Sequence, residues 1–265
     1  MNDLAKLFFE KGWCRFSFDP ALTTWIDHAL PLARQCVKDP ANDVWHYCDD
    51  TWFVGVNALN NDGTGAVEGG VELSGKAIDF IHQNLGLPDL EWDRGQVSVC
   101  YPGYPKPMAR ESEAASRYRR NRDAAHIDGL LHEGPERRRF LREFHLFILG
   151  IPMVDFSDNA SPFVIWEGSH TIIHEFMHET LKNIPTSHWG DLDMTEAYQA
   201  IRRQVFETCK RVEISAKPGE AYIAHRFCVH GIAPWADTAT AGIDGRIIMY
   251  FRPETPDHDD WLNAP

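Results

Sequence analysis

Apolar positions recur at helical spacing in three stretches of the first third of the chain. Side chains three and four residues apart share one face of an α-helix, so each stretch predicts an amphipathic helix packed on a core. The Gly- and Asn-rich segment 57–70 predicts a loop between the second and third helices. The three stripes are Leu4, Leu7 and Phe8; Leu22, Trp25, Ile26 and Ala29 after Pro20; and Leu73, Ile78, Ile81 and Leu85 before Gly86.

From about residue 95 the pattern changes to short apolar runs bounded mostly by Gly, Pro, Asn or Asp, which is typical of β-strands. Helices followed by strands with long insertions predict a mainly β fold, an antiparallel barrel or jelly roll buttressed by N-terminal helices. No linker is long or polar enough to divide the chain, so residues 1–265 are expected to form one domain. The runs are QVSVCY (96–101), FHLFILGIPMV (144–154), FVIW (163–166), EAYIA (220–224) and RIIMYF (246–251).

Composition and charge exclude several classes of protein. Of the 265 residues 43% are hydrophobic, enough for a packed core, and the net charge of −13 argues against a nucleic-acid partner. The six cysteines contain no Cys-x-x-Cys pair, which fits a reducing cytoplasm. Without a leader-like N-terminus or an apolar run near the roughly 18 residues of a membrane span, we expect a cytoplasmic protein that acts on a small molecule. No feature indicates the oligomeric state.

A His-x-Asp triplet, His126 and Asp128 in DAAHIDG, is the first candidate for chemistry. Residues two apart on an extended segment point to the same side, so the imidazole and the carboxylate can face one ion. A chain of this composition holds about one such triplet by chance, and this chain holds two. The second, His258 and Asp260, lies in a Pro- and Asp-rich tail with no later histidine and is not expected to be a site.

His230 is the best candidate for a third ligand, because it ends the run EAYIAHRFCVH and precedes Gly-Ile-Ala-Pro. Two imidazoles and one carboxylate form the facial triad of non-haem Fe(II) oxygenases, which leaves coordination positions open for a cosubstrate and O2. Arg246 opens an apolar strand sixteen residues later. A buried guanidinium is costly unless it faces an anion, so Arg246 is predicted to clamp a carboxylate. Arg252, at the end of that strand, is the weaker candidate.

The order of these motifs resembles the phytanoyl-CoA hydroxylase-like branch of the Fe(II)/2-oxoglutarate-dependent dioxygenases. The likeness rests on the His-x-Asp pair, the Gly-Ser-His turn of FVIWEGSH (163–170), His230-Gly and the arginine on the last strand. The opening LFFEKGWCRF (7–16) is also similar to that family. The resemblance implies a double-stranded β-helix, a cupin-like jelly roll.

The same resemblance implies a site and a reaction. His126, Asp128 and His230 would bind Fe(II), and Arg246 would bind the distal carboxylate of 2-oxoglutarate. Tyr101 in VCYPGYP either donates its hydroxyl to the cosubstrate carboxylate or is a core tyrosine bonded to backbone. The expected activity is hydroxylation of a small organic substrate with consumption of O2 and release of succinate and CO2. Relatives that halogenate lack the carboxylate that Asp128 supplies, which favours hydroxylation.

Three features of the sequence depart from the family pattern, one segment and two single residues. The segment DTATAGID (237–244) lengthens the spacing between His230 and Arg246, which weakens the assignment of the arginine. Glu167 stands where a proline is common, and Trp235 stands where a small polar residue is usual. Both are expected near the mouth of the site, where they would shape an unusual substrate pocket.

HEFMH (174–178) offers a rival site. His174 and His178 one helical turn apart, with Glu175 as general base, form the pattern of zinc metalloproteases, and its chance expectation is only ~0.04. Glu196 is a conceivable third ligand. The alternative is a solvated helix with two incidental histidines. A third hypothesis is a catalytically inactive binding module of the same fold.

Basic residues flank the His-x-Asp pair. Positive charge this close to a candidate site predicts steering of an anionic substrate, such as a carboxylate or a phosphate. The alternative is a helix surface on which arginines pair with nearby glutamates at little net energy. Both interpretations stay open. The arginines are Arg117, Arg119, Arg120 and Arg122 in SRYRRNRD and those of GPERRRFLREF, and the glutamates are Glu111, Glu113, Glu136 and Glu143.

Overall fold

The computed structural model describes residues 3–109 and 111–263. The described helices are α1 (Asp3–Lys11), α2 (Pro20–Lys38), α3 (Lys76–Asn84), α4 (Glu113–Asn121), α5 (Ser169–Leu181), α6 (Thr195–Thr208) and α7 (His258–Asn263). The described strands are β1 (Trp13–Phe16), β2 (His46–Tyr47), β3 (Trp52–Phe53), β4 (Gln96–Cys100), β5 (Leu130–Glu133), β6 (Arg138–Leu141), β7 (Phe147–Pro152), β8 (Phe163–Glu167), β9 (Lys210–Ile214), β10 (Ala221–His225), β11 (His230–Ile232) and β12 (Arg246–Phe251).

The strands form two antiparallel sheets that pack face to face. The large sheet has the order β1-β10-β7-β12-β4-β3-β2, and the small sheet has the order β11-β8-β9. Side chains from both sheets, including Ile148 and Ile248 of the large one and Phe163 and Ile165 of the small one, share one buried cluster. This arrangement confirms the prediction of a mainly β, jelly-roll fold with buttressing helices. A separate hairpin pairs β5 with β6.

β12 shows why the central strands are apolar on both faces. Ile247 and Met249 point toward the N-terminal helices, whereas Ile248 and Tyr250 point between the sheets. Strand side chains alternate between the two faces, and here both faces are covered. Arg246 shares the inner parity and is therefore drawn into the barrel.

The N-terminal helices cover the outer face of the large sheet, as predicted. α2 begins at Pro20, and Asp19 caps it by accepting from the backbone N–H of Ala21 (3.0 Å). Trp25 on α2 is buried and donates its indole N–H to the Gly65 carbonyl (2.8 Å). The third helix begins at Lys76, so Leu73 precedes it.

The order of helices and strands differs from the prediction, because α4 to α7 come after β4. α5, α6 and α7 cover the outer face of the small sheet, where Trp166 of β8 packs against Ile173 and Val205. α4 carries Arg117, Arg119 and Arg120 of the SRYRRNRD motif. All six cysteines are free. Within the described ranges, no helix combines the length and apolarity that a membrane crossing requires.

Candidate metal centre

Two distant segments of backbone hold the predicted ligands together. The N–H of His126 donates to the His230 carbonyl and the N–H of His230 donates to the His126 carbonyl, both at 2.9 Å. Gly231 permits this approach, since a Cβ there would lie 2.1 Å from the Asp123 carbonyl oxygen. The glycine after His230 therefore serves close backbone contact.

The loop before His126 is fixed by a buried carboxylate. Asp123 accepts two hydrogen bonds from Arg211 of β9, at 2.7 and 2.9 Å. A bidentate pair of this kind fixes direction as well as distance. It orients the chain between the end of α4 and the His-x-Asp segment.

His126, Asp128 and His230 present their ligand atoms to one point. One ligand atom from each residue lies within 4.8 Å of the other two. Oδ1 of Asp128 is 3.4 Å from Nε2 of His126 and 3.6 Å from Nε2 of His230. Such spacing lets a single divalent ion reach all three atoms with small adjustments. The three residues named from sequence are thus brought together.

Backbone carbonyls set the tautomer of both imidazoles. Nδ1 of His126 lies 3.0 Å from the Ala124 carbonyl oxygen, and Nδ1 of His230 lies 3.0 Å from the Cys228 carbonyl oxygen. A carbonyl only accepts, so each Nδ1 carries the proton and each Nε2 keeps its lone pair. An outer hydrogen bond of this type is what orients histidines that bind metals.

The electrostatics favour the protonation states that bind metal. Partial burial lowers the pKa of His126 from its usual value, although the neighbouring Asp128 acts in the opposite direction. Burial also opposes ionisation of Asp128, but Arg252 and the imidazole of His230 hold its pKa well below the usual range. Around neutral pH the centre therefore presents neutral His126 and an ionised carboxylate, which metal coordination requires.

The three ligands open into a cavity of about 170 Å³ between the two sheets. Its mainly apolar wall shields the centre. His126, whose side chain is 42% exposed, faces the solvent side, whereas the side chain of His230 is 6% exposed. Other lining residues are Trp52, Tyr104, Ile148, Phe163, Tyr250 and Arg252.

Arg246 lies inside the barrel and is 1% exposed. Its Nη2 donates to the Tyr250 hydroxyl (3.0 Å), while Nε and Nη1 have no hydrogen-bond partner among the described residues. The Phe163 ring lies between the metal centre and Tyr250, the partner of Arg246. Its centroid is 5.4 Å from that of His230, on which it stacks, and 5.8 Å from that of Tyr250. Unsatisfied buried guanidinium N–H groups are costly and mark a place for an anion.

Tyr101 is not among the residues that line the cavity, and its contact with a cosubstrate stays a prediction beside the alternative of a core tyrosine. It has the parity of Val97 and Val99 and packs in the apolar cluster beneath the N-terminal helices. The tyrosine missed by sequence reasoning is Tyr104, whose buried hydroxyl has no partner among the described residues and which lines the cavity. The alternation of side-chain direction along β4 was the available signal, because continued to residue 101 it directs Tyr101 toward the N-terminal helices and away from the cavity.

Across the part of the chain that the structure describes, the HEFMH motif lacks a third ligand. Nε2 of His174 lies 2.9 Å from the Leu262 carbonyl oxygen, and His178 lies beside Glu179. Glu196, the proposed third ligand, instead accepts from Arg138 (2.8 Å). Within residues 3–109 and 111–263, only His126, Asp128 and His230 form a group of three suited to a metal.

The remaining candidates have structural surroundings. Glu167 accepts from the Trp13 indole (3.0 Å), away from the centre, whereas Trp235 packs near Tyr104. His258 stacks on Phe144 with ring centroids 3.6 Å apart. Neither Glu167 nor Trp235 is among the residues that line the cavity, although Tyr104, beside Trp235, is.

Comparison with known proteins gives structural likenesses alone. No protein-family model and no curated protein matches the chain. Similar solved structures include the non-heme alpha ketoglutarate dependent carbocyclase SnoK from nogalamycin biosynthesis (11% identity, TM-score 0.48, covering 98% of this chain and 88% of that chain). They also include AviO1 from Streptomyces viridochromogenes Tue57 (12%, 0.48, 99% and 95%) and EctD from S. alaskensis with bound Fe (13%, 0.43, 95% and 78%). At these TM-scores the likeness carries no argument about chemistry, which rests on the geometry above.

Proposed function

We propose that this protein is an Fe(II)/2-oxoglutarate-dependent oxygenase that hydroxylates a small organic substrate, with release of succinate and CO2. The observation that carries the proposal is the convergence of His126, Asp128 and His230 at a cavity between the two sheets. Two imidazoles and one carboxylate suit Fe(II) and leave positions open for a cosubstrate and O2. The phytanoyl-CoA hydroxylase-like branch remains our assignment from the sequence motifs.

The residues also fit 2-oxoglutarate. A dicarboxylate needs a cationic partner for its far end, and Arg246 offers two unpartnered N–H groups in a fully buried setting. Tyr250 holds the guanidinium from one side, and the unpartnered hydroxyl of Tyr104 supplies a further donor. A planar guanidinium matches a carboxylate bidentately, so this set fits the distal carboxylate of the cosubstrate.

When bound, the iron and cosubstrate supply the oxidising chemistry. The chain's own residues bind and orient. The carbonyls of Ala124 and Cys228 hold the two imidazoles, and Arg252 holds the outer oxygen of Asp128. Ile148 and Phe163 form apolar wall that excludes water beside the ligands. The cavity of about 170 Å³ admits only part of a substrate next to the centre, so the remainder extends toward the exposed side of His126.

The test is an anaerobic titration of metal-free protein with Fe(II) and 2-oxoglutarate, monitored for a weak visible charge-transfer band. We expect the band and, on admission of O2, succinate formation. Asp128→Ala should abolish both with the thermal transition retained, whereas His178→Gln, which changes a histidine outside the site, should leave both unchanged. Unaltered 2-oxoglutarate consumption in Asp128→Ala would refute the iron site.

The same preparation separates the alternatives. Stoichiometric zinc, no visible band and peptide cleavage that His178→Gln abolishes would favour the metalloprotease. Absence of both activities, with Fe(II) and 2-oxoglutarate failing to bind, would favour an inactive binding module.

A further inference from the structure

Three arginines and a histidine gather beside the metal-binding segment, on the face of the β5–β6 hairpin that meets α6. The guanidinium carbons of Arg139 and Arg202 each lie 5.2 Å from the centroid of the Tyr198 ring. Arg202 also lies 4.7 Å from the Tyr118 ring. Stacking on aromatic faces orders both side chains. We call Arg137, Arg139, Arg202 and His132 the arginine cluster.

The positive charge of this cluster is not neutralised by protein. Among the described residues, no carboxylate lies within ion-pair distance of Arg137, Arg139 or Arg202. Arg138 and Arg142 of the same hairpin do pair with carboxylates, respectively with Glu196 and with Glu133. Carboxylates are abundant in a chain of net charge −13, so the lack of carboxylate partners for these three arginines is not explained by composition.

Mutual repulsion within the cluster is evident. Burial lowers the pKa of Arg139, and the nearby charge of Arg202 contributes in the same direction. Burial and then the charges of Arg139 and Arg137 lower the pKa of His132 to about 4. Like charges held together at this cost are stabilised when an anion binds between them.

The neutral ring of His132 can donate a hydrogen bond from Nε2. Nη2 of Arg137 lies 3.3 Å from its Nδ1. A guanidinium only donates, so Nδ1 accepts and the proton of the neutral ring is on Nε2. His132 also pairs across the hairpin with Arg139, which places both side chains on one face. The cluster therefore offers an imidazole N–H together with three guanidinium groups.

The cluster is attached to the metal-binding segment itself. The Ala125 carbonyl accepts from the Tyr118 hydroxyl (2.6 Å) and from Nη1 of Arg202 (3.4 Å). The N–H of Ile127, between the two ligands of the His-x-Asp pair, donates to the Tyr198 hydroxyl (3.0 Å). These bonds join the cluster directly to the backbone that carries His126 and Asp128.

We infer that the arginine cluster is a binding site for a phosphoryl group, carried by the substrate and anchored outside the metal cavity. Three cations and a neutral N–H donor suit a dianionic, tetrahedral oxyanion better than a singly charged carboxylate. The assignment of that group to the substrate rests on the proposed function. The binding site itself does not.

The test uses metal-free full-length protein and inorganic phosphate at low ionic strength, followed by calorimetry and by the side-chain nitrogen signals of His132. We expect saturable binding, a shift of the His132 signals and at least tenfold weaker binding of acetate. Removing one charge-assisted contact should weaken binding about tenfold or more, so Arg139→Gln and Arg202→Gln should each show that loss. Arg203→Gln removes the same charge from the next position of α6 and should have little effect.

Arg139 and Arg202 also donate to backbone carbonyls, so their substitution could weaken the fold as well as phosphate binding. A third variant separates the two effects. Arg137→Gln alters an exposed side chain, so it should weaken phosphate binding with the thermal transition unchanged. No saturable binding, acetate binding as tight as phosphate, or equal losses in Arg203→Gln and Arg137→Gln would overturn the inference. Phosphate binding without 2-oxoglutarate turnover would reject the proposed function and keep the phosphate site. Turnover without phosphate binding would keep the proposed function and reject the phosphate site.

Discussion

Nη1 of Arg252 lies 3.3 Å from Oδ2 of Asp128, on the side of the carboxylate away from the two imidazoles. Oδ1 is the atom that faces His126 and His230. The outer oxygen of the carboxylate thus forms an ion pair with the guanidinium, without a hydrogen bond among the described residues, and the inner oxygen faces the two imidazoles. Arg252, the weaker anion-clamp candidate from sequence, acts instead as a positioning residue.

Arg252→Gln should therefore weaken Fe(II) binding about 10- to 100-fold, the usual effect of losing a partner of a metal ligand. The Asp128 carboxylate would also become easier to protonate, so the loss should grow as the pH falls. Anaerobic Fe(II) titrations at two pH values measure both effects. Arg252→Lys, which keeps the charge, should recover part of the affinity, and affinity unchanged in Arg252→Gln would contradict the role.

Arg246 should show opposite effects on stability and on ligand binding. Its buried, partly unpartnered guanidinium is costly in the free protein, so Arg246→Met should not lower the melting temperature. The affinity for 2-oxoglutarate should fall about 10- to 100-fold, because hydrogen bonds to a charged group are lost. Thermal shifts with and without 2-oxoglutarate measure both quantities. Marked destabilisation with unchanged affinity would make Arg246 structural.

Tyr104 and Tyr101 provide a matched pair of substitutions. Tyr104→Phe removes an unpartnered buried hydroxyl and should weaken 2-oxoglutarate binding about fivefold, the effect of one hydrogen bond, with little change in stability. Tyr101→Phe acts on the helix side of the sheet and should leave that affinity unchanged. Binding titrations of the two variants decide the matter, and equal effects would reject the cavity role of Tyr104.

Acid should destabilise the fold through His225. Burial, together with the charge of Arg226 and the imidazole of His170, keeps its pKa well below the ordinary value. An unfolded histidine binds a proton at about pH 6.5, so the unfolded state takes up more protons as the pH falls below that value. The free energy of unfolding should then drop by up to about 1.4 kcal/mol per pH unit for this group.

Denaturant unfolding between pH 7 and pH 5 measures this dependence. His225→Asn retains an acceptor for the Phe227 N–H. It should reduce the slope of the unfolding free energy against pH by the amount that corresponds to about one bound proton. His188→Asn, at an exposed histidine paired with Asp191, should not flatten it. An unchanged slope in His225→Asn would place the acid sensitivity elsewhere.

The strands that the sequence predicted are those buried on both faces, such as β7 and β12, because their apolar runs are continuous. β9, KRVEI, was not predicted, since it lies at the edge of the small sheet and is mostly exposed. β11 has three residues, too few for a periodic pattern. Edge position and short length remove the signal that central strands carry.

Within the site, the convergence of the three side chains was predictable because residues 126 and 128 are two apart and His230 ends a β-like run. The contact between Arg252 and Asp128 was not, since it depends on where β12 ends relative to the start of β5. HEFMH, rarer by chance than the His-x-Asp pair, has no third ligand within the described ranges. Rarity of a motif therefore did not decide which histidines converge, and tertiary placement did.

The reciprocal backbone bonds between His126 and His230 have a consequence for metal choice. These bonds involve no metal ion, so the fold itself closes the large loop between the two positions and holds the three side chains together. An assembled nitrogen and oxygen site favours Cu²⁺ and Zn²⁺ over Fe²⁺ on intrinsic affinity alone. Faithful loading would then depend on which ions the surroundings supply, so the purified protein should be inhibited by traces of the stronger-binding metals.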